Sequence, residues 1–407
     1  MKKMKDSGIE WIGQIPEDRK LIRSKYALSY IKGRIPTETN TEQNGVPYIG
    51  ASDLDNLSGR SEYSIYTRDT DIPVCGYEDI LVLWDGARAG LIGRNHMGAI
   101  SSTIVKIIPN DDIDKRFFFW YLKGFEKYLY ECVNGTTIPH MNKKYIEDIS
   151  MLDWSLDDQI RIADFLDEKC SKIDRYIEKQ QQIIDKLKAY KQAVITEAVT
   201  PKDGWIKCHL GYLAQFKNGL NYNGLSTDNE IKFLGVGDFQ NYFTLDSIDM
   251  FSTLQFDGNL PEDLLLKNGD IVFVRSNGSK ELVGRSILVD KVDYPLTYSG
   301  FCIRMRNYRQ DIVLNKFLLY RFWNNEFRQN LNRDSRGSNI NNLNQELLSK
   351  LTIAFPSIDE QVKIVDLLDK KCGEIDTAIS KKQSVIDKFT EYKKSLIYEA
   401  VTGKLEV

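Results

Sequence analysis

The 407-residue sequence is short of the features that mark membrane, disulfide-rich and metal-binding proteins. No window approaches the roughly 18 to 20 consecutive apolar residues of a membrane-spanning helix. The six cysteines lie far apart without a CxxC pair, and the three histidines are scattered. Neither a disulfide framework nor a metal site is therefore expected. The first residues are polar and lack the apolar stretch of a signal peptide, so we expect a cytoplasmic protein.

An excess of charge of one sign is also missing, because 55 basic residues stand against 58 acidic ones. A net charge of −3 excludes a uniformly basic nucleic-acid-binding protein but leaves room for a local basic surface. Residues 203–270 hold 4 basic and 10 acidic side chains, whereas residues 271–340 hold 12 basic and 6 acidic ones. The basic excess of the second stretch, mostly arginine, fits contacts with phosphates and guanine edges.

Catalytic and cofactor motifs are absent from the sequence. There is no GxxxxGK[ST] phosphate loop, no GxGxxG dinucleotide motif, no GxSxG elbow and no Asn/Asp-Pro-Pro-aromatic segment. The stretch Glu391-Tyr392-Lys393 imitates half of a nuclease motif, but it lies within a helical pattern and is interpreted as structural. The chain is predicted to carry out no covalent chemistry alone and to need no cofactor.

The chain contains an internal duplication. Residues 156–202 and 358–404 match at 24 of 47 positions without a gap. Weaker matches upstream pair 134–151 with 336–353, 115–130 with 317–332, 78–94 with 269–285, and 47–56 with 232–241. Such self-similarity marks repeated structural units. The predicted order is a first domain (1–155), a long helix (156–202), a second domain (203–357) and a second long helix (358–407).

Each duplicated segment has the period of a long helix. Apolar residues alternate at spacings of three and four, and charged residues fill the outer positions. The predicted seam comprises Ile173, Ile177, Ile184, Leu187, Val194, Ile375, Ile379, Ile386, Phe389 and Leu396. One amphipathic helix cannot bury such a stripe alone. We therefore expect the two helices to pack as an antiparallel coiled coil with pseudo-two-fold symmetry.

The two domains combine short strand-like runs with aromatic-rich helical segments. The runs are 46–50, 80–84 and 104–108, with counterparts at 231–236, 271–275 and 301–305. Helical segments follow near 115–131 and 316–331. The expected fold class is α+β, with two mixed α/β domains that are each followed by a long helix.

Polar loops recur at equivalent places in the two domains, after a strand and again before a short helical pattern. Arginine suits guanine edges and phosphates, and asparagine suits adenine edges. Solvated turns use the same residue types, but their recurrence in both domains favours a ligand. For Arg94 and Arg285 a structural role is an equal alternative. The candidate DNA-contacting residues are Arg34, Arg88, Arg94, Thr136, Thr137, His140, Asn142, Lys143, Lys217, Asn221, Arg275, Asn277, Lys280, Arg285, Arg333, Arg336, Ser338, Asn339, Asn341 and Asn342.

The sequence resembles the specificity subunits of type I restriction-modification systems. The resemblance rests on SGIEWIGQIPEDRK (7–20), on LDDQIRIADFLDEK and IDEQVKIVDLLDKK at the helix starts, and on EAVTPK and EAVTGK at the helix ends. It covers essentially the whole chain. The helix motifs are its most specific part, whereas the domains match only in outline.

The resemblance implies a non-catalytic DNA-recognition subunit. Its two target-recognition domains would each read one half of a gapped, asymmetric double-stranded DNA site, and the antiparallel helices would set the spacing. The implied partners are double-stranded DNA, two methyltransferase subunits and, in the full complex, nuclease/translocase subunits, with no membrane. Those partners would carry the adenine methylation, the ATP and the cleavage. No family motif assigns individual base-reading residues.

Two alternatives remain open at the level of sequence. One is a coiled-coil adaptor that binds only protein, and the other is a catalytic nuclease or methyltransferase fragment. The catalytic alternative would need an acidic metal triad or a methyl-donor pocket, and neither is visible. Selection of duplex DNA in the presence of a methyltransferase partner separates the adaptor from the DNA reader.

Overall fold

The computed structural model describes residues 3–23, 28–54, 63–133, 139–221, 229–240, 244–245, 251–256, 260–276, 282–324, 327 and 343–407. The chain divides into two compact units. Unit 1 consists of residues 1–181 and 383–407, and unit 2 consists of residues 182–382. Each unit therefore contains one mixed α/β domain and a segment of both long helices.

The helices lie where the sequence pattern predicts them. They are α1 (Lys115–Gly124), α2 (Glu126–Val133), α3 (Lys143–Glu147), α4 (Leu156–Val199), α5 (Asn315–Phe322), α6 (Gln345–Lys350) and α7 (Ile358–Val401). The long helices α4 and α7 have 44 residues each, which corresponds to about 66 Å at 1.5 Å per residue. No helix in the part of the chain that the structure describes is long and apolar enough to cross a membrane.

Unit 1 contains short strands in two four-stranded and two two-stranded sheets. The strands are β1 (Met4–Asp6), β2 (Gln14–Pro16), β3 (Leu21–Arg23), β4 (Leu28–Lys32), β5 (Val46–Ile49), β6 (Tyr66–Thr67), β7 (Val74–Cys75), β8 (Ile80–Leu83), β9 (Ile92–Gly93), β10 (Gly98–Ile100), β11 (Ile104–Pro109) and β12 (Ser150–Leu152). The larger sheets have the orders β4-β11-β8-β9 and β6-β5-β10-β7, and the smaller ones pair β1 with β2 and β3 with β12.

Unit 2 repeats this plan with its own strands. They are β13 (Ile206–His209), β14 (Ala214–Asn218), β15 (Asn229–Leu234), β16 (Thr244–Leu245), β17 (Ser252–Phe256), β18 (Ile271–Val274), β19 (Ser286–Val289), β20 (Leu296–Tyr298), β21 (Cys302–Asn307) and β22 (Thr352–Phe355). The sheet orders are β14-β21-β18-β19-β16, β17-β15-β20 and β13-β22. β14-β21-β18-β19 corresponds to β4-β11-β8-β9 of unit 1.

The central strand of each unit is buried on both faces, which explains its unbroken apolar sequence. In β8, Ile80 and Val82 face the core shared with the helices, whereas Leu81 and Leu83 face the core beneath the second sheet. In β18 the same alternation sends Ile271 and Phe273 to the helices, and Val272 and Val274 to the opposite face. Each domain is therefore a sheet covered on one side by helices and on the other by a smaller sheet.

In each unit the two helix segments run antiparallel, as predicted. In unit 1 the Nζ atom of Lys393 lies 2.6 Å from a carboxylate oxygen of Asp174, and the rings of Tyr176 and Phe389 lie 4.6 Å apart. In unit 2 the matching ion pair joins Lys191 to Asp376 at 2.7 Å. Both residues of the second pair follow those of the first by the 202-residue repeat with the helices exchanged. Lys393 is thus a structural residue.

The predicted seam residues are turned inward along both helices. Ile173, Ile184, Val194, Ile375 and Leu396 are buried, and the other five members of the seam are half-buried. The seam cysteines Cys170 and Cys372 are buried as well, and burial raises the pKa of the Cys170 thiol to about 12. These thiols therefore pack as small apolar groups.

Equivalent hydrogen bonds attach each domain to its long helix. Asp167 of α4 accepts from Trp120 Nε1 at 2.8 Å, and Asp369 of α7 accepts from Tyr320 Oη at 2.7 Å. Burial, and next the hydrogen bond to Asp369, raise the pKa of Tyr320 above its usual value. Trp120 and Tyr320 are 200 residues apart, so the predicted alignment of 115–130 with 317–332 is wrong by two residues. A run of aromatic residues matches itself at several offsets, and only the shared anchors fix the register.

Candidate nucleic-acid interface

Four loops of unit 1 meet beside the ends of β4 and β8, and we call this region corner 1 (residues 33–35, 84–88, 101–103 and 139–142). Backbone hydrogen bonds hold it together: the Trp84 N–H donates to the Thr103 carbonyl at 2.7 Å, and the Met141 N–H donates to the Trp84 carbonyl at 2.7 Å. The Gly86 N–H donates to the Pro139 carbonyl at 3.1 Å. Two loops that were predicted separately to touch a ligand are therefore adjacent.

Unit 2 builds the same arrangement, which we call corner 2 (residues 219–221, 275–276, 299–301 and 343–344). The Arg275 N–H donates to the Phe301 carbonyl at 2.7 Å, and the Leu343 N–H donates to the Arg275 carbonyl at 2.8 Å. These bonds correspond one for one to those around Trp84 in corner 1. The two corners are thus equivalent frames with different side chains.

A glycine begins the equivalent loop in each corner because another backbone segment passes too close for a side chain. A Cβ at Gly33 would lie 2.2 Å from the carbonyl oxygens of Ile100 and Ser101. A Cβ at Gly219 would lie 2.2 Å from the carbonyl oxygen of Ser299. This close approach fixes the direction in which Arg34 and Leu220 leave the sheet.

Side chains of opposite charge converge on Asp85 in corner 1. Its carboxylate lies 3.2 Å from the Lys32 Nζ and forms an ion pair with His140. Arg34 and Arg88 are exposed, and Nη2 of Arg88 donates to the Ala51 carbonyl at 2.9 Å. The corner therefore presents donors that are held in place by backbone and carboxylate oxygens, together with acceptor capacity on Asp85. Both are suitable for base edges and phosphates.

Corner 2 brings together two more of the predicted residues. Arg275 is half-buried, and its Nη1 donates to the Gly300 carbonyl at 3.4 Å. The exposed side chain of Asn221 lies against Gly300, since a Cβ there would be 1.8 Å from the Asn221 Oδ1. An arginine and a carboxamide thus share a corner, and these two groups are the ones that pair with guanine and adenine edges. Nearby Lys217 forms an ion pair with Asp263.

Arg94 does not lie on a surface that DNA could contact, and for this residue the structure contradicts the prediction. Its side chain is buried, with Nη2 2.7 Å from Asp167 of α4 and the guanidinium stacked 4.5 Å from the centre of the Phe119 ring. Arg285 is half-buried and donates from Nη1 to the Phe239 carbonyl at 3.3 Å. The structural alternative applies to Arg94, and Arg285 contacts the interior of unit 2 rather than corner 2.

The remaining predicted residues fall into two groups. Asn142 accepts a hydrogen bond from the Lys144 N–H at 2.9 Å and caps α3, so its side-chain oxygen has a structural role, while Lys143 next to it is exposed. The others lie outside the described residues, and these are Thr136, Thr137, Asn277, Lys280, Arg333, Arg336, Ser338, Asn339, Asn341 and Asn342.

Sequence reasoning missed four residues of the two regions. Lys32 and Asp85 form the ion pair of corner 1, and Ile35 and Phe301 are exposed apolar side chains at the corners. An available signal for Ile35 was its place in a polar loop directly after Arg34, where an apolar residue has no core to fill. Phe301 was counted as a strand residue, and β21 starts one residue later.

Comparison with known proteins places the chain in a family. The sequence profile of the type I restriction modification DNA specificity domain matches residues 28–189 and again residues 202–386. The chain therefore belongs to this family and contains two copies of its domain. It is a specificity subunit, the non-catalytic component that recognises the DNA target of a type I restriction-modification system.

Individual relatives agree over nearly the full length. The specificity subunit of the type I restriction enzyme MjaVIII from Methanocaldococcus jannaschii is 26% identical over 97% of this chain and 94% of its own length. The EcoBI specificity subunit from Escherichia coli is 28% identical over 40% of this chain and 34% of its own. A solved chain from work on assembly and conformational transition of the type I R-M system superposes with a TM-score of 0.68 at 15% identity, covering 96% of this chain and 99% of that one. This last likeness shows the shared fold.

Arg94 and Arg88 provide a matched pair of substitutions. We expect Arg94→Met to lower the free energy of unfolding by about 2 kcal/mol, because it removes one partner of a largely buried ion pair. We expect Arg88→Ala to change stability by less than about 0.5 kcal/mol and to weaken target binding about tenfold. Urea unfolding and fluorescence anisotropy with the target duplex measure the two quantities. A stable Arg94→Met variant with weakened DNA binding would reverse these assignments.

Proposed function

We propose that the chain reads a gapped, asymmetric double-stranded DNA site, with corner 1 contacting one half-site and corner 2 the other. The observation that carries this proposal is the equivalence of the two corners. The same backbone frame presents Arg34, Asp85 and Arg88 in unit 1 but Asn221 and Arg275 in unit 2. Equivalent frames with different donors and acceptors suit two different base sequences.

The long helices support the second part of the proposal, which concerns partners. Tyr190 of α4 and Tyr392 of α7 occupy equivalent positions in the repeat, and their side chains are 54% and 56% exposed. Two equivalent apolar surfaces on duplicated helices suit two copies of one partner. We infer that these partners are two methyltransferase subunits and that nuclease/translocase subunits join through them. The methyl donor, the ATP and the catalytic groups belong to those subunits.

Selection of random duplexes tests the proposal directly. The chain is mixed with its methyltransferase partner, bound duplexes are recovered and sequenced, and methylated adenines are mapped in the host genome. The proposal expects one enriched motif with two unequal halves and a fixed gap. Arg275→Ala should weaken selection in one half, and Arg88→Ala in the other. Enrichment of a continuous motif, or of none, would contradict it.

The gap should follow the length of the helices. Seven residues inserted after Gln181, seven residues beyond Asp174, and seven before Ile386, seven residues ahead of Lys393, keep the ion-paired register of both helices. One heptad adds about 10.5 Å to a helix. We therefore expect the paired insertion to lengthen the gap by about three base pairs, as read from selected duplexes. The matched control carries the insertion in α4 alone and should lose specific binding, and an unchanged gap in the paired variant would refute the spacer role.

A further inference from the structure

Two apolar side chains are exposed within the polar corners. Ile35 is 77% exposed in corner 1, and Phe301 is 62% exposed in corner 2. Both leave rigid backbone: Arg34, which precedes Ile35, donates its N–H to the Ile100 carbonyl at 3.2 Å, and the Phe301 carbonyl accepts from Arg275 at 2.7 Å. Neither side chain fills a core of its unit.

The two residues occupy neighbouring positions of the shared frame. The hydrogen bonds of Gly33 and Gly219 to the strands beside them are equivalent, which makes Asn221 the counterpart of Ile35. The equivalent bonds from Trp84 and Arg275 make Thr103 the counterpart of Phe301. Corner 1 therefore combines an apolar residue at the first position with a hydroxyl at the second, whereas corner 2 combines a carboxamide with an apolar ring.

An apolar group among base-reading donors has a specific use on DNA. Of the groups exposed at base edges in the major groove, the 5-methyl group of thymine is the apolar one, and aliphatic or phenyl side chains contact it. The isobutyl-like side chain of Ile35 and the ring of Phe301 have this chemistry. Arg34 and Arg275 lie directly beside them and can contact the adjacent phosphates or guanines.

We propose that Ile35 and Phe301 are specificity-determining residues, each of which contacts the 5-methyl group of one thymine in the half-site read by its corner. The proposal rests on the proposed function, because it needs each corner to face one half-site. It adds the chemical group that is recognised in each half. It also explains why the two corners carry their apolar side chain at different positions, since the recognised thymines then lie at different places in the two half-sites.

Replacement of thymine by deoxyuridine tests the proposal, because it removes the methyl group and keeps the base pair. The complex of the full chain with its methyltransferase partner is titrated with target duplexes in which each thymine is replaced in turn. We expect one position in each half-site to weaken binding about fourfold, the loss expected for one methyl-sized group. Phe301→Ala should bind the native duplex more weakly and lose the penalty in its own half-site only, and Ile35→Ala should do the same in the other half.

The controls are exposed residues of the same kind away from the corners. Val74→Ala in unit 1 and Tyr212→Ala in unit 2, at 56% and 70% exposure, should keep both penalties. Uniform binding to every deoxyuridine duplex would overturn the proposal, as would a penalty that persists in Phe301→Ala and Ile35→Ala or a half-site without thymine. So would increased 2-aminopurine fluorescence next to the contact, which indicates insertion between bases. Failure of the wild-type complex to prefer the native target would instead refute the proposed function.

Discussion

A chain that ends at Lys202 is expected to form a two-fold dimer and to recognise a palindromic site with two identical halves. In the full chain, unit 1 is completed by residues 383–407 of α7 and the segment after it. The first half of the sequence carries its own version of that helix segment, 202 residues earlier. A second copy of the shortened chain can therefore supply it.

The core residues that would be exchanged are nearly the same. Leu396, Ile397, Ala400 and Val401 complete the core of unit 1. Their counterparts in the repeat are listed in the same order as Val194, Ile195, Ala198 and Val199. Asp174 of one copy would pair with Lys191 of the other in place of Lys393. The tail contacts of Leu405 and Val407 are lost, so the dimer should be less stable than unit 1 of the full chain.

Sedimentation equilibrium and duplex selection with the methyltransferase partner measure both outcomes. A monomer at micromolar concentration, or an asymmetric selected site, would contradict the expectation. Charge reversal provides the control: Asp174→Lys or Lys191→Asp places like charges together at both equivalent sites and should weaken the dimer by about tenfold or more. The double variant restores opposite charges and should recover most of the affinity. Recovery would also show that the ion pairs set the antiparallel register.

The helix seam could be read from the sequence because its signal is local and periodic. Ile173, Ile184 and Leu396 are spaced for one face, and an amphipathic helix of 44 residues has few other ways to bury them. The strands were equally accessible, since unbroken apolar runs such as Ile80–Leu83 indicate burial on both faces. The pairing of polar loops into corners followed from their recurrence in both domains.

Individual side chains could not be read in this way. Arg94 and Arg285 share the same Gly-Arg context, yet Arg94 is bound by Asp167, which lies 73 residues away. No local pattern encodes that contact. Asp85 looked like an ordinary loop residue until the fold brought Lys32 and His140 beside it. Exposure also depends on the tertiary fold, and this is why Ile35 and Phe301 were not distinguished from core residues.

Leu368 of α7 is expected to be among the most costly positions to truncate. Its side chain is fully buried in the core of unit 2, as that of its counterpart Leu166 is in unit 1. Leu368→Ala removes three methyl or methylene carbons' worth of packing and leaves a cavity, so we expect a loss of about 3 kcal/mol in the free energy of unfolding. Urea unfolding followed by circular dichroism measures the loss.

Hydrogen exchange locates the effect, and the neighbouring residue supplies the control. Leu368→Ala should accelerate exchange in β18 and β21, whereas Leu166→Ala should accelerate it in β8 and β11, because each leucine packs in the core of its own unit. Leu367 is 47% exposed, and Leu367→Ala should cost less than about 1 kcal/mol. Equal losses for Leu367→Ala and Leu368→Ala would contradict the assigned helix face. Uniform acceleration in both units would show that their two cores open as one cooperative structure.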